Sequence, residues 1–150
     1  MTGNDRKPVA VATTSFEERN GQFSPDGRWV AFETNESGSF QMVVQPFPNA
    51  SGKWQVSTGG GTYPRWRADG KELYFIGPDG KLMAATVHAS ASSFETDTPR
   101  PLFQPRILGG NLNKPQYAVS SDGRFLINQV LDDPSATPIT LILNWKPSAR

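Results

Sequence analysis

One turn phrase occurs three times in this chain, and its recurrence constrains the fold more than any other feature. It reads Phe23-Ser24-Pro25-Asp26-Gly27-Arg28-Trp29-Val30-Ala31-Phe32, then Trp66-Arg67-Ala68-Asp69-Gly70-Lys71-Glu72-Leu73-Tyr74-Phe75. A weaker copy is Val119-Ser120-Ser121-Asp122-Gly123-Arg124-Phe125-Leu126-Ile127. The Asp-Gly steps lie 43 and then 53 residues apart. A supersecondary unit returning at such a period is the mark of a repeat architecture, in which each copy buries its apolar surface against its neighbours.

The phrase has a mechanical reading. Pro25 pre-sets φ for the first central position of a type I turn, Asp26 suits the second, and Gly27 takes the left-handed conformation that follows. Such a turn joins antiparallel strands through a bulge. The aspartate side chain can accept a hydrogen bond from a nearby backbone N–H and hold the corner shut. Asp69-Gly70 and Asp122-Gly123 keep the two essential residues without the proline. Asp26, Gly27, Asp69, Gly70, Asp122 and Gly123 are therefore assigned to turn formation. Gly77-Pro78-Asp79-Gly80 reads as a further hairpin corner inside the second unit.

No long segment carries helical periodicity. Fourteen glycines and thirteen prolines in 150 residues favour frequent turns. Candidate strands cover residues 9–13, 22–24, 29–34, 40–45 and 54–58, then 63–67, 72–76, 82–88 and 102–104, then 116–120, 125–130 and 139–145. The strands after the corners, such as Trp29-Val30-Ala31-Phe32 and Leu73-Tyr74-Phe75-Ile76, are apolar on both faces. A half-exposed antiparallel sheet would alternate instead. Radially stacked four-stranded blades cover both faces of every sheet; a β-sandwich does so less regularly. The expectation is an all-β chain forming a partial β-propeller of about three four-stranded antiparallel blades. Residues 21–58 and 63–104 are two blades, and 116–146 is an incomplete last one. Residues 8–20 read as the outer strand of a preceding blade and a linker. Propellers close with four to eight blades, so the chain is expected to be a fragment of a larger, six-bladed propeller, or to find its missing blades in a partner.

The first phrase resembles the WD40-like repeats of TolB-type β-propellers. Further segments are similar to one bacterial subgroup: Val44-Gln45-Pro46-Phe47-Pro48, Lys53-Trp54-Gln55-Val56-Ser57-Thr58-Gly59-Gly60-Gly61, Pro64-Arg65-Trp66-Arg67, Gly80-Lys81-Leu82-Met83-Ala84 and Leu143-Asn144-Trp145. That subgroup forms the C-terminal sensor or interaction region of membrane-anchored serine/threonine protein kinases. The resemblance covers residues 8–146. It implies a non-catalytic interaction or sensor module following a kinase domain, extracytoplasmic if the parent is membrane-anchored. The alternative is the accessory, substrate-gating propeller of a prolyl-oligopeptidase-like hydrolase, whose catalytic domain is separate.

The residues point to binding rather than chemistry. The formal net charge of +1 gives no general attraction to nucleic acid or anionic membranes. Arg65, Trp66 and Arg67 form an isolated aromatic-basic cluster within that balanced charge. No run approaches the roughly 20 apolar residues of a membrane span, and residues 1–8 lack the apolar stretch of a signal peptide. There is no cysteine, hence neither a disulfide framework nor a thiolate. Kinase phosphate-binding and metal-binding motifs are missing. Gly59-Gly60-Gly61 is not followed by Lys-Ser or Lys-Thr and reads as a connection between blades. His88 is the only histidine and reads as an exposed strand-end residue, with no Gly-x-Ser-x-Gly to complete a triad. Asp132-Asp133 reads as a solvated loop, since calcium would need further oxygen donors. No cofactor or metal is expected.

In a four-stranded meander, the loop leading into the innermost strand and the loop between the second and third strands emerge on one face. Those loops are residues 59–62 and 112–115, and residues 35–39, 77–80 and 132–137. A protein or small-molecule partner is expected to dock there, because scaffolded loops carry recognition. Tyr63 and Arg65, opening an innermost strand, are the candidate contacts.

Overall fold

The computed structural model describes residues 8–49, 51–90, 93–107 and 115–129. Among them there are eleven strands and no helix. The first blade is an antiparallel meander of β1 (Glu18–Phe23), β2 (Trp29–Thr34), β3 (Gln41–Pro46) and β4 (Trp54–Gln55). The second blade follows with β5 (Thr62–Trp66), β6 (Glu72–Ile76) and the eight-residue β7 (Leu82–Ala89). Two short strands pair with opposite ends of β7: β8 (Phe94–Thr96) with Val87–Ala89, and β9 (Arg100–Phe103) with Leu82–Ala84. The third unit is the hairpin of β10 (Tyr117–Val119) and β11 (Phe125–Ile127), with one bridge joining Ile107 to Gln129. The described residues thus form a partial propeller that does not close.

The Asp-Gly corners are built alike. Gly27 N–H donates to the Ser24 carbonyl at 2.9 Å, and Gly70, Gly80 and Gly123 donate to Arg67, Gly77 and Ser120. All four glycines have φ between 71° and 83°, where a side chain would be strained. Asp26, Asp69 and Asp79 each accept the backbone N–H two residues on, at 3.0–3.1 Å. The glycine turn read from the sequence is present at all four corners, including the one inside the second blade; at the third copy Arg124 N–H donates to the Ser120 hydroxyl, which in turn bonds Asp122.

Doubly apolar strands follow from each face meeting a different neighbour. On β2, Trp29 and Ala31 pack towards the second blade, against Leu73, Phe75, Ala85 and Val87. Phe94 of β8 is the hub of that interface, with its ring centroid 5.0 Å from Trp29, 6.0 Å from Trp54 and 6.3 Å from Trp66. The alternate residues of β6, Tyr74 and Ile76, face the third unit and meet Tyr117, Phe125 and Ile127. Each fully buried large side chain contributes about 1.5–3 kcal/mol, so two such interfaces hold the wedge together.

Three local expectations differ from the structure. Residues 9–13 form no strand. Val11 and Ala12 instead lie on the outer face of the first blade, over Val30, Phe32 and Val43, and the Gln45 amide donates to the Val11 carbonyl. Contact with a sheet face rather than an edge gives no backbone ladder to join. The strand read at 22–24 is β1, which starts four residues earlier, because its polar opening residues bind a buried carboxylate described below. β8 has one apolar side chain, too little for strand patterning to reveal it; with β9 it gives the second blade five strands rather than four. The candidate strand at 139–145, the closing motif at 143–145 and the end of the last blade lie outside the described residues.

Candidate functional site

The inner strands β1 and β5 carry the same irregularity at the same repeat position. Their registers with β2 and β6 shift between Arg19 and Gln22, and between Thr62 and Arg65. At each bulge one residue is left-handed: Asn20 at φ 55° and Tyr63 at φ 60°. Both precede their corner aspartate by six residues. Asparagine visits this region readily, whereas tyrosine has no such excuse. Holding Tyr63 there costs on the order of 1–3 kcal/mol.

Two buried groups supply the compensation. Tyr63 N–H donates to Glu33 Oε1 at 2.6 Å, and the Tyr63 carbonyl accepts the Tyr117 hydroxyl at 2.7 Å. Glu33 stands on β2 in the same alternation as Trp29 and Ala31, and it is 0% exposed. It also accepts Arg19 Nε and Asn20 Nδ2, each at 2.7 Å. Three donors from two blades thus meet one carboxylate, the condition under which such a group can be buried at all. The Arg19 guanidinium is further covered by the Phe40 ring, 3.6 Å away. Tyr63 is therefore pinned through its N–H by the first blade and through its carbonyl by the third unit. Burial raises the Tyr63 phenol pKa above its ordinary value, with the nearby Glu33 charge adding to it. Burial likewise raises Tyr117. Both phenols stay protonated and remain donors.

Tyr63 lines a recess of about 450 Å³. Loops foreseen as one face converge on it: Ser39 from 35–39, all of 59–62, and Gly77, Pro78 and Gly80 from 77–80. Gln104, Pro105, Ile107 and Gln116 close the other side. Of loop 112–115 only Pro115 is described, and loop 132–137 lies outside the described residues. The Gln41 side-chain oxygen Oε1 holds the glycine loop by accepting the Ser57 hydroxyl at 2.6 Å and Gly60 N–H at 3.0 Å. Gly61 has no room for a side chain: a Cβ there would stand 2.6 Å from Met42 Cγ and 2.9 Å from Phe75 Cδ2. The floor of the recess is accordingly backbone. The Tyr63 hydroxyl is buried and has no hydrogen-bond partner.

Arg65 is placed elsewhere. Its Nη1 donates to the Pro64 carbonyl at 2.7 Å, and its guanidinium lies 5.9 Å from the centroid of the Tyr117 ring. Of the two candidate contacts, Tyr63 borders the recess and Arg65 does not. Glu33 and Tyr117 went unremarked in the sequence. A readable signal for Glu33 existed, because it occupies a core-facing parity in an apolar strand.

At the other end of the strands lies a groove of about 710 Å³ between the Asp26 and Asp69 corners, lined also by Arg28, Lys71 and His88. The Trp29 indole N–H is buried there without a partner. Asp26 is held down to about 2 by the Ser24 hydroxyl first and Arg28 after it. His88 is exposed at the end of β7, with Nε2 3.1 Å from Asp97 Oδ1. Among the described residues no cluster of three or more His, Cys, Asp or Glu could hold a metal ion, and no helix is long and apolar enough to cross a membrane. No protein-family model and no curated protein matches the chain, so its function is read from this geometry.

Proposed function

We propose that this chain is a non-catalytic binding module, part of a larger TolB-type propeller of the kind that forms the C-terminal sensor or interaction region of bacterial serine/threonine kinase-type proteins. The observation that carries the binding role is the convergence of the second-to-third-strand loops of both blades and the loop leading into β5 on one recess. Support comes from Tyr63, a strained residue over-determined by its surroundings, since such residues cluster at ligand-binding positions. The kinase link rests on the sequence resemblance. Missing blades from the parent chain or a partner would complete the propeller beyond the segment of Val11 and Ala12, which already covers Val30, Phe32 and Val43.

Site-specific photo-crosslinking in the parent protein tests the binding face. Position 78 is exposed at the rim of the recess, and position 71 is exposed at the opposite groove. A crosslinker at 78 is expected to give a discrete adduct that one at 71 does not. Equal adducts from both positions, or none from 78, would overturn the reading. The reading also expects a kinase domain and a membrane span upstream in the parent reading frame, and a parent lacking both would remove the kinase link.

A further inference from the structure

We propose that the recess beside Tyr63 takes an uncharged, largely apolar small molecule bearing one hydrogen-bond acceptor, and that the Tyr63 hydroxyl donates to it. The proposal rests on the binding-module reading and names the ligand chemistry of the same face.

Charge comes first. Among the described residues, no Lys, Arg, His, Asp or Glu lines the recess. An ionised group entering it would lose water and gain no counter-charge. The groove at the other end, with Asp26, Arg28, Asp69, Lys71 and His88, is the reverse case. Size comes second: about 450 Å³ lies in the range of small-ligand pockets. Phe40, Ile76, Pro78 and Ile107 supply apolar walls, and the glycine loop lets a flat molecule approach backbone closely.

The third point is the unsatisfied donor. Tyr63 is 95% buried, judged from its 5% exposure, and its hydroxyl bonds to nothing. Buried hydroxyls are normally paired. Its raised pKa keeps the proton in place, so the hydroxyl offers a donor to a ligand carbonyl or ether oxygen. The backbone on either side is clamped by Glu33 and Tyr117, which fixes the residue beside the recess.

Three naphthalenes of matched shape test the chemistry by NMR titration of the isotope-labelled chain. They are 2-acetylnaphthalene with an acceptor, 2-isopropylnaphthalene without one, and 2-naphthoate with a charge. The acetyl compound is expected to saturate one site and to shift the amides of Gly60, Gly61, Thr62, Gly77 and Gly80. The isopropyl compound should bind about fivefold more weakly, the worth of one hydrogen bond. Naphthoate should bind at least about tenfold more weakly. Tyr63→Phe removes a hydroxyl that bonds to nothing, so the variant folds; it should erase the acetyl preference and leave the isopropyl affinity unchanged. Gln104→Trp, at an exposed rim position, should abolish binding of both. Naphthoate binding as tightly as the ketone, or an acetyl preference surviving Tyr63→Phe, would overturn the ligand chemistry while the same loop amides still report a binding face. Shifts centred on Gly27 and Gly70, or no saturable shift, would also overturn it. The crosslinking contrast between positions 78 and 71 then decides separately whether the face binds anything.

Discussion

Glu33→Ala should be among the most damaging single changes to the interface between the first two blades. It strands three donors at once: Tyr63 N–H, the Asn20 amide and Arg19 Nε. Removing one partner from a buried charge pair costs about 3–5 kcal/mol. The Arg19 side chain is 29% exposed, so water can rehydrate its charge, which places the loss near the lower end of that range. The Tyr63 N–H has no such recourse, and a buried unpaired donor alone costs about 1–3 kcal/mol. A total of about 3–4 kcal/mol follows; with a urea m-value near 2 kcal/mol/M, the midpoint should fall by roughly 1.5–2 M. Glu33→Gln keeps the shape and one acceptor but turns an amide N–H₂ against existing donors, for a loss of about 2 kcal/mol. Unfolding followed in parallel by tryptophan fluorescence and circular dichroism measures both variants. The control is Glu36→Ala, which breaks the exposed pair with Lys53 and should cost less than about 0.5 kcal/mol. A Glu33→Ala midpoint within about 0.3 M of wild type would refute the reasoning, because the carboxylate would then contribute no more than a surface contact.

Gly61→Ala should destabilise by about 1–3 kcal/mol through overpacking against Met42 and Phe75. Gly59→Ala, with open space around the new methyl, should be nearly neutral by thermal melting, and equal effects would contradict the packing account. Phe94→Ala should cost about 3–5 kcal/mol, since it empties the hub among three tryptophans; calorimetry showing a loss under about 1 kcal/mol would count against that role. Asp26 has its folded pKa lowered from 3.8 to about 2. Its stabilising contribution is therefore complete above about pH 4 and lost as pH falls towards 2. With 45% of the side chain exposed, screening holds that contribution below about 1 kcal/mol. Asp26→Asn should narrow the stability gap to wild type between pH 4 and pH 2, and a gap independent of pH across that window would rule the linkage out.

Local rules made the corners legible. Pro, Asp and Gly act within four residues of one another, and the four glycine conformations follow from that chemistry alone. The doubly apolar strands were also readable, because parity divides Trp29 and Ala31 from Val30 and Phe32 before any partner is known. What escaped the reading depends on contacts distant in sequence. Phe94 is one aromatic residue in a polar stretch, and its burial requires Trp29, 65 residues earlier. The strained Tyr63 could not be foreseen, since its conformation is imposed by Glu33 and Tyr117 from either side. The loops of the recess were foreseen from strand order, but the lack of charge among its described lining residues was not, because Gln104 closes the strand expected at 102–104 and Pro105 and Ile107 follow it, outside the loops assigned to that face. Arg65 illustrates the converse: adjacency in sequence to a lining residue did not bring it to the recess.

The arrangement at β7 bears on solubility. A long strand at the rim of a sheet displays a row of unmet amides and carbonyls, which is a template for recruiting foreign chains. Here the last positions of an eight-residue strand are occupied by β8 and the first by β9, with Thr86 bonding Asp97 between them. Two pieces of three and four residues present shorter, offset margins than one continuous strand would, and the second carries Pro101. The second blade thereby ends in a border that discourages fibril-like growth.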